Sequence, residues 1–127
     1  MLASYDGDQV DLWDVPSGKN VGHFPLGFSG LPGDDANYVD NISISNDKTT
    51  LAVGEFTHTW VVGLISLKSG KVVDRFECGP RLRICTLVKF APQGDMLATT
   101  TAANTRDDRT VEPLLRFWKL TDYAKLK

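Results

Sequence analysis

A chain of 127 residues with 42% hydrophobic and 24% charged residues has the size of a single domain and ordinary globular composition. Its formal net charge of -2 supplies no electrostatic drive toward nucleic acid or an anionic membrane surface. No apolar run approaches the roughly 20 residues of a membrane helix, and MLASYDGDQ carries acidic residues where a secretory signal needs basic and then apolar ones. The expectation is a cytoplasmic protein that engages neither nucleic acid nor membrane.

Taken in chain order, LAS (2–4) opens a short strand of small residues, and QVDLWDV (9–15) is a longer one that ends at Pro16-Ser17-Gly18-Lys19. Gly18 supplies the positive φ of a tight hairpin, so VPSGKNVGHF (15–24) reads strand, turn, strand. The connection FPLGFSGLPGDDANY (24–38) follows. Then SISNDKTT (43–50) is an apolar strand entering a polar turn at Asn46-Asp47-Lys48, and LAVG (51–54) repeats the pattern of LAS. FTHTW (56–60) connects it to WVVGLISL (60–67), and LKSGKVVDRF (67–76) repeats VPSGKNVGHF, with five of ten positions identical at an offset of 52. Gly70 stands where Gly18 stood. VKFAPQGDM (88–96) is again strand and turn, LATT (97–100) is the third LAS, and LLRFWKL (114–120) places Trp118 where the earlier copies have Trp13 and Ile65. The last phrase, LTDYAKLK, is the third copy of VPSGKNVGHF without its Gly. No segment has a helical period strong enough to compete.

A unit written three times at a spacing of about 52 residues calls for a repeat architecture before any other reading. Each full unit holds four short antiparallel strands, which predicts an all-β fold built of β-propeller blades, about three of them, covering roughly 1–24, 40–77 and 84–127. Blades stack face to face, which accounts for apolar residues on both faces of the strand carrying Val10, Leu12 and Trp13.

LASYDGDQVDLWDVPSGK resembles the signature of the WD-repeat propellers, with Trp13-Asp14 as the dipeptide that names the family, and FAPQGDMLAT (90–99) resembles the phrase that opens such a repeat. The resemblance spans nearly the whole chain. It departs from the family pattern in lacking a Gly-His pair in the turns between copies; Gly22-His23 lies inside a strand, and the dipeptide becomes Ile65-Ser66 and Trp118-Lys119. Bacterial propellers with Asn-rich repeats are a weaker match, through LISLKSGKVVDRFECG. The WD-repeat resemblance implies structural roles for Trp13, Asp14, Gly18, Gly70 and Trp118. It also implies a non-catalytic scaffold that binds protein partners without a cofactor. The alternative is a propeller segment of a larger enzyme or transport complex whose active residues lie outside this chain. Three blades fall short of the four to eight of known propellers, so the expected complement is further blades of the same longer polypeptide or a second copy of the chain.

Little in the sequence points to chemistry. His58 is a lone histidine in a connection, and neither histidine has a cysteine at metal-ligand spacing. GDDANYVDN (33–41) lacks the alternating ligands, central Gly and closing Glu of a calcium loop. Cys78 and Cys85 are read as free thiols in a strand-rich protein, the alternative being a local disulfide across a turn if the chain is secreted. Recognition through the connections is the better reading, because loops on a rigid scaffold carry binding. On the family's geometry one rim gathers Phe28, Leu31, His58, Trp60, Arg81, Arg83, Arg106 and Arg109, and aromatic residues and arginines are the types that dominate interaction hot spots.

Overall fold

The computed structural model describes residues 1–6, 9–25, 38–56, 60–77, 83–103 and 114–120. Among them the chain forms ten strands and no helix. Strands β1 (Leu2–Asp6), β2 (Gln9–Asp14) and β3 (Lys19–Pro25) form one antiparallel sheet. Strands β4 (Tyr38–Ile44), β5 (Thr50–Phe56), β6 (Trp60–Ser66) and β7 (Val72–Glu77) form the second, and β8 (Arg83–Phe90), β9 (Met96–Ala103) and β10 (Leu114–Lys119) the third. In each sheet the strands lie in chain order, so every connection within a sheet is a hairpin. Among the described residues the three sheets do not close into a barrel or a ring.

The turns explain why the strands break where they do. Gly18 and Gly70 both sit at positive φ, 65° and 68°, and their amides close equivalent turns onto the carbonyls of Asp14 and Ser66 at 2.8 Å. A Cβ at Gly70 would also lie 3.5 Å from the ring of Phe24, so the turn of the second sheet packs against the first. The other repeated turn closes Lys48 onto Ser45 and Gly94 onto Ala91, each at 2.9 Å. Lys48 takes this left-handed position (φ 59°) without being glycine. Its loop is braced by Asp47, whose carboxylate accepts from the hydroxyls of Ser45 and Thr49 at 2.7 and 2.8 Å.

Packing follows from the alternation of side chains along each strand. In the middle sheet Leu51, Val53 and Ile65 face the first sheet and cluster with Val10, with Ala3, Phe24 and Ile42 against them. Ala52, Val62 and Leu64 point the other way, into a cluster with Val88, Phe90 and Leu97 of the third sheet. Phe76 and Trp118 cover that cluster with their rings 4.5 Å apart and tilted by 34°. Ser43 ties the same two sheets together, its buried hydroxyl accepting from the Phe90 amide at 3.2 Å. The two central strands of the middle sheet, β5 and β6, are therefore covered on both faces, which is why LAVG and WVVGLIS read as nearly unbroken apolar runs.

The first sheet holds three strands and the middle sheet four; the fourth strand expected of the third copy falls in 121–127, outside the described residues. One expectation needs amending. The strand carrying Trp13 was expected to be covered on both faces. Val10 and Leu12 are buried, but Trp13 is only half-buried and Leu2 opposite it is 56% exposed. The reason is stacking order: the middle sheet lies on the Val10 face, and no described sheet lies on the other.

Candidate functional site

The antiparallel register sorts the connections to two ends. Tight turns lie at one end of each sheet: 15–18 in the first, 46–49 and 67–70 in the second, 92–95 in the third. The turns of neighbouring sheets share clefts there, Asn46 lying near Pro92 and Lys48 near Leu12. At the opposite end, Asp6 pairs with Gln9 and Gln9 with Pro25, Tyr38 with Phe56 and Phe56 with Trp60, Val61 with Glu77, and Arg83 with Ala103. The two longest connections, 26–37 and 104–113, therefore leave and rejoin the sheets at this end, together with the shorter 7–8, 57–59 and 78–82.

Of the eight residues expected to bind a partner, Trp60 and Arg83 open β6 and β8 at this end. Phe28, Leu31, His58, Arg81, Arg106 and Arg109 lie outside the described residues. Cys78 does so too, and Cys85 stands in β8.

The residues assigned structural roles are all described. Trp13 donates its indole N–H to Ser4 Oγ at 2.9 Å, and Trp118 donates to Thr99 Oγ1 at the same distance. Asp14 accepts from the Ser17 hydroxyl and from the Ser17 amide, which fastens the turn that Gly18 completes. The sequence reading missed Ser4 and Thr99, although both follow the repeated Leu-Ala by one residue in LAS and LATT. That shared offset was the signal.

Across the exposed face of the first sheet, Ser4, Asp11 and His23 form one row on adjacent strands. Asp11 Oδ1 accepts from Asn20 Nδ2 at 2.9 Å and lies 2.9 Å from His23 Nδ1. The order of the row places the carboxylate between the hydroxyl and the imidazole. Nucleophile activation needs the imidazole in the middle, so this row is not a catalytic triad. Among the described residues no group of His, Cys, Asp and Glu has the geometry of a metal site. A cleft of about 390 Å³ opens between the first two sheets at the tight-turn end and is lined by Leu12, Phe24, Leu67, Lys48 and Lys68 among others.

Among the described residues two carboxylates, Asp11 and Asp14, titrate below their ordinary value. The hydrogen bond with His23 is the main influence on Asp11, helped by Asn20 and by the His23 charge and opposed by partial desolvation. For Asp14 the Ser17 hydroxyl is the largest cause, followed by the Ser17 amide. A carboxyl whose folded pKa is depressed stabilises the fold above its unfolded pKa and loses that contribution as pH falls through the folded value. Stability should therefore hold at neutral pH and fall below the ordinary carboxylate range. Urea midpoints measured against pH test this: Asp14→Asn and Asp11→Asn should each flatten the acid limb and leave the shape above neutrality unchanged.

No family model matches the chain, and the search of curated proteins returns no match. Among the described residues no helix is long and apolar enough to cross a membrane.

Proposed function

We propose that the chain is an arc of a β-propeller of the WD-repeat kind and works as a non-catalytic scaffold, holding a protein partner at the end where its longer connections gather. The observation that carries this reading is where the longest connections fall: 26–37 and 104–113 both leave and rejoin the sheets at the end opposite the hydrogen-bonded turns. A rigid stack with its variable segments on one rim is the arrangement in which recognition evolves without disturbing the core. Trp60, Arg81 and Arg83 are the anchors of this surface, since large aromatic side chains and guanidinium groups supply contact area and directional hydrogen bonds together.

Partner capture by the immobilised chain, followed by chemical crosslinking and peptide mapping, tests the reading. The triple variant Trp60→Ala, Arg81→Ala, Arg83→Ala should lose the partner that wild type retains, with crosslinks mapping to 26–37, 57–59, 78–82 or 104–113. Lys68→Ala, at the opposite end, should retain it. Undiminished capture by the triple variant, or crosslinks confined to the tight-turn end, would show that another surface does the binding.

A further inference from the structure

Each sheet has two chemically distinct faces, and register identifies them. Leu2 stands opposite Trp13, Leu51 opposite Ile65, and Leu97 opposite Trp118. These equivalent pairs define one face, with Ser4, Val53 and Thr99 two residues further along it. One residue on, Ala3 stands opposite Leu12, Ala52 opposite Leu64, and Ala98 opposite Phe117, defining the other face.

The chain packs these faces in one sense only. The Ala3–Leu12 face of the first sheet meets the Leu51–Ile65 face of the second. The Ala52–Leu64 face of the second meets the Leu97–Trp118 face of the third. Among the described residues two faces have no other sheet against them, one of each kind. The Ala98–Phe117 face of the third sheet exposes Phe117 at 63% and Leu115 at 57%, with Leu87 exposed beside them. The Leu2–Trp13 face of the first sheet exposes Leu2 and presents half-buried Trp13.

We infer that the Ala98–Phe117 face docks on the Leu2–Trp13 face of a second copy of this chain, continuing head to tail the contact that the chain makes twice within itself. An exposed sheet face with three large apolar residues is costly to leave in water, and the first sheet carries the matching face. Charge agrees with the match. Exposed Lys89 stands beside Ala98 in the Phe117 row, and exposed Lys119 lies two residues from Phe117. The complementary face carries Asp11 and Asp6. The contact is heterologous, joining two different patches, so it differs in kind from a two-fold dimer. It uses sheet faces and none of the long connections, and stands apart from the partner reading above.

Sedimentation velocity over a wide concentration range tests it. Wild type should gain mass with concentration. Phe117→Asp and Leu2→Asp should each stay monomeric, weakened by about a hundredfold or more because a carboxylate would be buried in the contact. Mixing those two variants should restore a complex of two chains and no more, since one retains an intact Leu2–Trp13 face and the other an intact Phe117 face. Leu115→Asp serves as a second disruption of the same face, and circular dichroism of each variant alone confirms that the strands persist. The inference is overturned if wild type stays monomeric throughout, if Leu2→Asp self-associates as well as wild type, or if mixing folded variants restores nothing. Trp60→Ala should leave every one of these profiles unchanged.

Discussion

Truncating Leu64 to alanine should destabilise the protein by about 3 kcal/mol, within the range for a fully buried leucine whose cavity cannot collapse. Leu64 is 0% exposed and sits in the cluster between the second and third sheets, with Val62 and Ala52 on its own face and Val88, Phe90 and Leu97 on the other side. The informative comparison is Phe117, which holds the same register position one repeat later but faces outward. Phe117→Ala should change the stability of the monomer by less than about 1 kcal/mol, because its ring already lies in water. Urea unfolding at low protein concentration measures both. A large loss from Phe117→Ala under those conditions would mean that its face is covered in the monomer. A negligible loss from Leu64→Ala would mean that the two sheets are not packed as described.

Trp118→Phe should cost about 2 kcal/mol. The indole N–H is the donor to Thr99 Oγ1, and Thr99 is completely buried, so removing the donor strands a hydroxyl away from water. The smaller ring also thins the contact with Phe76. Trp13→Phe removes the equivalent bond to Ser4, but Ser4 is exposed and water replaces the indole; its cost should be under about 1 kcal/mol. A double-mutant cycle with Thr99→Val separates the hydrogen bond from the packing and should show a coupling of about 1 kcal/mol. Equal costs for the two tryptophans would contradict the difference in their surroundings.

Much of the fold is legible in the chain as written. LAS, LAVG and LATT mark three equivalent strands, and Gly18 and Gly70 mark two equivalent turns, because small residues and positive-φ glycines answer to local backbone geometry. The candidate site is less legible. Trp60 and Arg83 can be placed at the ends of strands that open toward the long connections. The Asp11–His23 contact could not be read from the sequence. The two residues are twelve positions apart, and they face each other only because β2 and β3 pair in one register, with an irregularity between Leu12 and Trp13.

What the sequence by itself determined is the grammar of the molecule: strand, turn and repeat, set by alternation and by residues that only certain turns accept. Tertiary structure alone decided which face of each strand is inside. Leu12, Leu64 and Phe117 are one position in the repeat, and by composition all three belong in a core. Two are buried and the third stands in solvent, because burial depends on whether another sheet lies against that face, and neighbouring residues along the strand do not specify it.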